Sequence, residues 1–189
     1  MRLWILSDLH VELTRGWDLP AADARPDFDV LVVPGDLIAR MERGVTWLRE
    51  RVPDHPVIYV PGNHEGYGCD VDRTVEKAKQ AAEGSKVFVL QNEAIRLGHV
   101  TFAGATLWTD FDLFGDQRRA MAVAADHMND FRKVPRPLPA SARARTPHGV
   151  ARILGSRDAQ DQGRPLGGGH PSRTASGPLL PSVSEGAVA

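Results

Sequence analysis

Three short segments of this 189-residue sequence carry side chains suited to holding metal ions. The first is Ser7-Asp8-Leu9-His10, the second Gly35-Asp36, and the third Gly62-Asn63-His64-Glu65. Carboxylate, imidazole and amide oxygen are hard-to-borderline donors. They suit Mn²⁺, Fe or Zn²⁺ and do not suit copper(I) or an iron–sulfur cluster. Asp8 and His10 are two residues apart, so an extended backbone would point both to one side. Glycines before Asp36 and Asn63 let the chain turn sharply and come close to an ion. Taken singly, each segment has a plainer reading. An Asp after a strand is commonly a helix N-cap, Gly-Asp is commonly a turn, and Asn63 and His64 could be turn or surface residues. The joint order, with each segment just after an apolar run, is what points to chemistry.

The elements that must position these residues are legible in outline. Residues 2–6 are a short apolar run ending in a polar turn, the pattern of a buried strand. Residues 29–33 form a second, β-branched run closed by Pro34-Gly35, and residues 57–60 a third closed by Pro61-Gly62. A fourth strand is expected over 86–90, and a hairpin over 94–97 and 99–103 turning at Gly98-His99. Val45, Leu48 and Val52 give helix spacing to 41–52. Residues 71–83 read as a charge-laced amphipathic helix stopped by Gly84. Strands alternating with helices predict an α/β domain with a mainly parallel sheet. Ligands of such sheets bind beyond the carboxyl ends of the strands, so the three loops should converge on one crevice.

With these motifs in place, the chain resembles the calcineurin-like metallophosphoesterases. Their pattern is Asp-x-His, then Gly-Asp, then Gly-Asn-His-Asp/Glu, then two later histidine motifs. The first three correspond to Asp8-Leu9-His10, Gly35-Asp36 and Gly62-Asn63-His64-Glu65, and the likeness covers about residues 1–133. The segment from Gly104 to Phe111 also looks like bacterial members. The resemblance implies a β-sandwich flanked by helices and a hydrolase of phosphoesters, phosphatase or phosphodiesterase, using two divalent ions (Mn, Fe or Zn). It implies that Asp8 and His10 bind the first metal, that Asp36 bridges both, and that Asn63 binds the second. His64 resembles the histidine that contacts the phosphate and protonates the leaving oxygen. Two cations about 3.5–4 Å apart would clamp the phosphoryl oxygens and activate a water.

The chain departs from that pattern after residue 133. The family completes its site with a histidine after a later strand and then Gly-His-x-His, and neither is visible. His148 and His170 have no strand before them, and His127 reads as a structural residue of a helix. Residues 1–133 hold 16 basic and 21 acidic residues, for a net of −5, whereas residues 134–189 hold 7 and 3, for a net of +4. The second segment has 8 of the 14 prolines, 8 of the 18 glycines and no aromatic residue. Such a composition cannot bury enough apolar surface to offset its ordering entropy, so a disordered tail is expected, with at most a short helix around 150–154. Read one nucleotide later, the codons of residues 167–175 permit Val-Val-Val-Thr-His-His-Ala-Pro, a strand followed by a histidine pair. A frameshift between about Phe131 and Leu138 would explain both the change of composition and the lost ligands. The coding DNA tests this: an early stop or no histidine pair in the shifted frame overturns it.

Three readings compete. One is a metal-dependent phosphoesterase, and another is a catalytically incompetent truncated or frameshifted member of the same family. The third, a module whose basic tail contacts nucleic acid, ranks last, because seven scattered arginines without aromatics carry no recognition pattern. The overall charge of −1 gives no electrostatic case for nucleic acid or a membrane surface, so nucleic acid enters only as substrate. Cys69 is the single cysteine, and no apolar run is long enough for a membrane span, so a cytoplasmic location is expected.

Overall fold

A computed structural model describes residues 1–107 and 109–134. Four strands, β1 (Leu3–Ile5), β2 (Val30–Val33), β3 (Val57–Tyr59) and β4 (Val87–Val89), lie side by side in chain order. All three pairings are parallel, with Leu3 opposite Val30, Leu31 opposite Val57 and Val57 opposite Val87. Helix α1 (Met41–Arg51) follows β2, and α2 (Val71–Ala82) follows β3. The alternation expected from the sequence is therefore the α/β order of the fold.

Parallel strands bury both faces, so β2 and β3 are continuous apolar runs. Leu31, Val33, Val57, Tyr59, Val87 and Val89 face the helices, and meet Met41, Val45 and Leu48 of α1 and Val75 and Ala78 of α2. Val30, Ile58 and Leu90 face the other way, towards Ile95, Leu97 and Phe102 of a hairpin. That hairpin pairs β5 (Glu93–Leu97) with β6 (Val100–Gly104) in antiparallel register and turns at Gly98, whose φ is +62°. A side chain buried this fully stabilises the fold by about 1.5–3 kcal/mol. Helix α2 starts where the Asp70 carboxylate accepts from Arg73 N–H at 3.1 Å, and the chain leaves it through Gly84, at φ +69°. Helices α3 (Gln117–His127) and α4 (Asn129–Lys133) complete the described chain.

One expectation is corrected here. Strand β1 is not buried but lies at the sheet edge, with Leu3 44% and Ile5 51% exposed. Trp4 and Leu6 pack into the helix-side core, but Leu3 and Ile5 point to the face that the hairpin covers only over the other strands. The tail beyond residue 134, the short helix at 150–154, His148, His170 and the shifted-frame reading lie outside the described residues. Among the described residues, no helix is long and apolar enough to cross a membrane.

Candidate metal centre

Parallel strands end at one edge of the sheet, and the loops leaving β1, β2 and β3 meet there. The loop after β1 runs beside the loop after β2. Asp8 N–H donates to Gly35 C=O at 3.3 Å, His10 N–H to Asp36 C=O at 2.9 Å, and Val11 N–H to Leu37 C=O at 3.0 Å. The expected extended path from Asp8 to His10 does not occur. Asp8 (φ +56°) and His10 (φ +42°) both adopt left-handed backbone, as does Asp36 (φ +54°). Such conformations cost free energy in non-glycine residues and persist where the surroundings impose them. Here the bonds between the two loops impose them.

The loops after β2 and β3 approach even more closely. A Cβ on Gly35 would lie 2.8 Å from Gly62 Cα, and one on Gly62 would lie 2.3 Å from Asp36 Oδ1. Only glycine permits this contact. Asp36 Oδ1 then accepts from His64 N–H at 2.9 Å. Beneath them sits Glu65, a carboxylate with no exposure. Its Oε2 accepts from Gly62 N–H at 2.8 Å and Asp36 N–H at 3.1 Å. Its Oε1 accepts from Leu37 N–H and the Tyr59 hydroxyl, each at 2.8 Å. Burial pushes the Glu65 carboxyl above its ordinary range, while the Leu37 and Tyr59 bonds pull it back.

Around this frame the five residues singled out in the sequence come together. Ligand atoms of Asp8, His10 and Asp36 lie within 4.8 Å of one another. Asp8, Asp36 and Asn63 line a cavity of about 230 Å³ together with Thr106 and Leu107. The Asn63 amide nitrogen donates to Asp130 at 2.6 Å and to the Tyr67 hydroxyl at 3.2 Å, which leaves its oxygen for the cavity. The Tyr67 hydroxyl also donates to Asp130, at 3.0 Å. Burial and the Asp130 carboxylate push Tyr67 up to about 12. The His64 ring lies between the rings of His10 and Tyr67, with centroids 4.1 and 4.2 Å away.

Oxygen-rich donors gathered at one spot, with an imidazole among them, fit a divalent cation. Other histidines stay apart. His127 ends α3 beside Phe114 and Val123, and His99 sits in the hairpin turn. His55 stacks on Phe28 at 4.5 Å. It borders a hollow of about 560 Å³ between the segment before β2, the end of α1 and the loop before β3, where no three metal-ligating atoms among the described residues converge.

A profile of the calcineurin-like phosphoesterases matches residues 1–148. The chain belongs to the calcineurin-like phosphoesterase family. No curated protein and no solved structure matches it. Membership makes metal-dependent phosphoester hydrolysis the activity of its kind. Within this calcineurin-like phosphoesterase, several residues of the site had no role in the sequence reading. Glu65 stands inside the third motif, and only its burial reveals what it holds. Glu12 follows His10 at the same two-residue interval as His10 follows Asp8, a signal that could have drawn attention to it. Tyr67 and Asp130 had no such signal, since Asp130 reaches Asn63 across 67 residues.

Proposed function

We propose that this chain hydrolyses a phosphoester, monoester or diester, at a centre of two divalent ions held by Asp8, His10, Asp36 and Asn63. The observation that carries the reading is the convergence of Asp8, His10 and Asp36 on one spot, beside a cavity that Asn63 also lines. When bound, the ions (Mn, Fe or Zn) would offset phosphoryl charge and lower the pKa of a water. Asp36 is the bridging ligand in this reading. It lies at the seam of two loops, and its Oδ1 is oriented by His64 N–H. His64 donates the proton to the leaving oxygen. Its Nδ1 edge is turned to His10 and Glu12, so Nε2 is the nitrogen available for that transfer. The substrate is the one partner proposed, with nucleic acid only in that capacity, and the single Cys69 suits a reducing compartment such as the cytoplasm.

Metal content after purification with Mn²⁺ should approach two ions per chain. Hydrolysis of an aryl phosphate or a phosphodiester should require metal and vanish in Asp36→Asn. Activity surviving that substitution overturns the assignment.

A second reading is a catalytically incompetent truncated or frameshifted member. It is favoured by one observation: among the described residues, His10 is the only histidine in the carboxylate group. It predicts at most one ion per chain and no turnover.

A further inference from the structure

Where α1 and α2 begin, a second hollow of about 230 Å³ opens, lined by cations instead of metal ligands. The two helix starts are joined there: Met41 N–H donates to the Thr74 hydroxyl oxygen at 2.9 Å. Arg40, just before α1, and Arg73 and Lys77 of α2 line the hollow, with Cys69 among its walls. Arg73 and Lys77 are four residues apart, so they share one face of α2 and repel each other. Among the described residues, no salt bridge ties Arg40, Arg73 or Lys77 to a carboxylate. The two carboxylates of the hollow already have donors. Glu42 accepts from the Thr74 hydroxyl at 2.8 Å, and Asp70 caps α2 by accepting from Arg73 N–H at 3.1 Å. Burial pushes the Cys69 thiol up, while the Arg40 and Lys77 charges both pull it down, so both cations bear on one spot. The positive ends of two helix dipoles add to them. The hollow also backs onto the clasp of the metal centre, since Arg40 N–H and the Cys69 thiol both donate to Glu65 C=O, at 3.1 and 3.2 Å.

We propose that Arg40, Arg73 and Lys77 bind a phosphate dianion in this hollow, apart from the metal centre. None of the three lines the metal-centre cavity or belongs to its carboxylate group. The two guanidinium groups present paired N–H donors that match phosphoryl oxygens, and the lysine ammonium adds a point charge. A carboxylate would fill one such fork, whereas a phosphate has oxygens for all three side chains. An anion between Arg73 and Lys77 replaces their mutual repulsion with attraction to a common centre. At about 230 Å³ the hollow is smaller than the ~300–1,000 Å³ of pockets that enclose drug-sized ligands. It therefore takes free phosphate, or one phosphoryl group of a molecule that extends beyond it. The proposal goes beyond the hydrolase reading and does not depend on it.

The test is calorimetric titration of the full chain with inorganic phosphate at constant ionic strength, with Mn²⁺ present and again with a chelator. Without metal the parent chain should bind one phosphate. Arg73→Gln with Lys77→Gln should weaken that binding about tenfold or more, because charge-assisted bonds are lost. Arg40→Gln should weaken it independently, and Asp36→Asn should leave it unchanged. Arg40, Arg73 and Lys77 are exposed, so each variant should stay folded, which circular dichroism checks. A bisphosphate with a short linker separates the two sources of the anion. It should bind at least tenfold tighter than phosphate, and only with Mn²⁺, if one molecule spans the hollow and the metal centre. Equal affinities mean that free phosphate is the ligand. Three results overturn the proposal: no saturable phosphate binding in chelator, parental affinity in the folded double variant, or binding that Asp36→Asn abolishes. Failure of the hydrolase reading looks different: Mn²⁺ binding and turnover would then be indifferent to Asp8 and Asp36, with phosphate binding in chelator intact.

Discussion

The Glu65 carboxylate accepts the backbone N–H of Asp36 at 3.1 Å from a position with no solvent exposure. One buried side chain thus fixes the backbone of the candidate bridging ligand, and with its other bonds ties the β2 and β3 loops together. All four of its partners are donors. Glu65→Gln would turn an NH₂ group towards two of them. Unfolding in denaturant should show a loss of about 2–4 kcal/mol, the cost of stranding buried donors. A loss under half a kcal/mol would mean that the carboxylate is not the clasp described.

Gly62 and Asp36 are in contact through the space a Cβ would fill. In Gly62→Ala that atom would sit 2.3 Å from Asp36 Oδ1 and 2.8 Å from Asp36 N. Backbone and carboxylate must both move. The expected cost is about 1–3 kcal/mol of stability. Mn²⁺ affinity should fall with it, and calorimetry beside a thermal melt reads both. Unchanged metal binding would show that Asp36 can move without consequence.

Asp130 lies on α4, far from the motifs in sequence, yet accepts a hydrogen bond from the Asn63 amide at 2.6 Å. It orients Asn63 without itself lining the cavity. Removing such a partner typically costs 10–100-fold in metal affinity. Asp130→Ala should therefore weaken Mn²⁺ binding by roughly that factor. Circular dichroism should stay native, since no core residue is involved. An affinity equal to that of the parent chain would remove Asp130 from the site.

Both tyrosines hold their protons tightly. Tyr67 is pushed from 10.0 up to about 12, and Tyr59 is raised well above its ordinary value by burial and then by the Glu65 charge. The folded state therefore binds these protons more strongly than the unfolded chain does. That contribution to stability is fully present below about pH 10 and is lost as pH rises through about 12. Absorbance titration of the metal-free native chain should show little tyrosinate at pH 10.5, and denaturant melts should weaken from pH 10 upward. In Asp130→Ala the Tyr67 midpoint should move back towards 10. A native titration centred at the ordinary phenol value would contradict the packing around both rings.

The sequence by itself determined the elements and the kind of site. Apolar runs closed by Pro-Gly, at 30–33 and 57–59, specify strands because a parallel sheet buried on both faces tolerates nothing else. Asp8, His10, Asp36, Asn63 and His64 were identifiable because each follows such a strand, and parallel strands must deliver their ends to one edge. Tertiary structure alone decided how those side chains meet. A two-residue spacing cannot foretell that Asp8 and His10 take left-handed backbone, since cross-loop bonds to Gly35 and Asp36 impose it. Composition cannot foretell that Leu3 and Ile5 lie uncovered, because burial depends on which element packs over a strand and not on the strand's own hydrophobicity. The same holds for Glu65, Glu12, Tyr67 and Asp130. A charged or hydroxyl side chain looks alike in any sequence, and only its surroundings make it a clasp or an orienting partner.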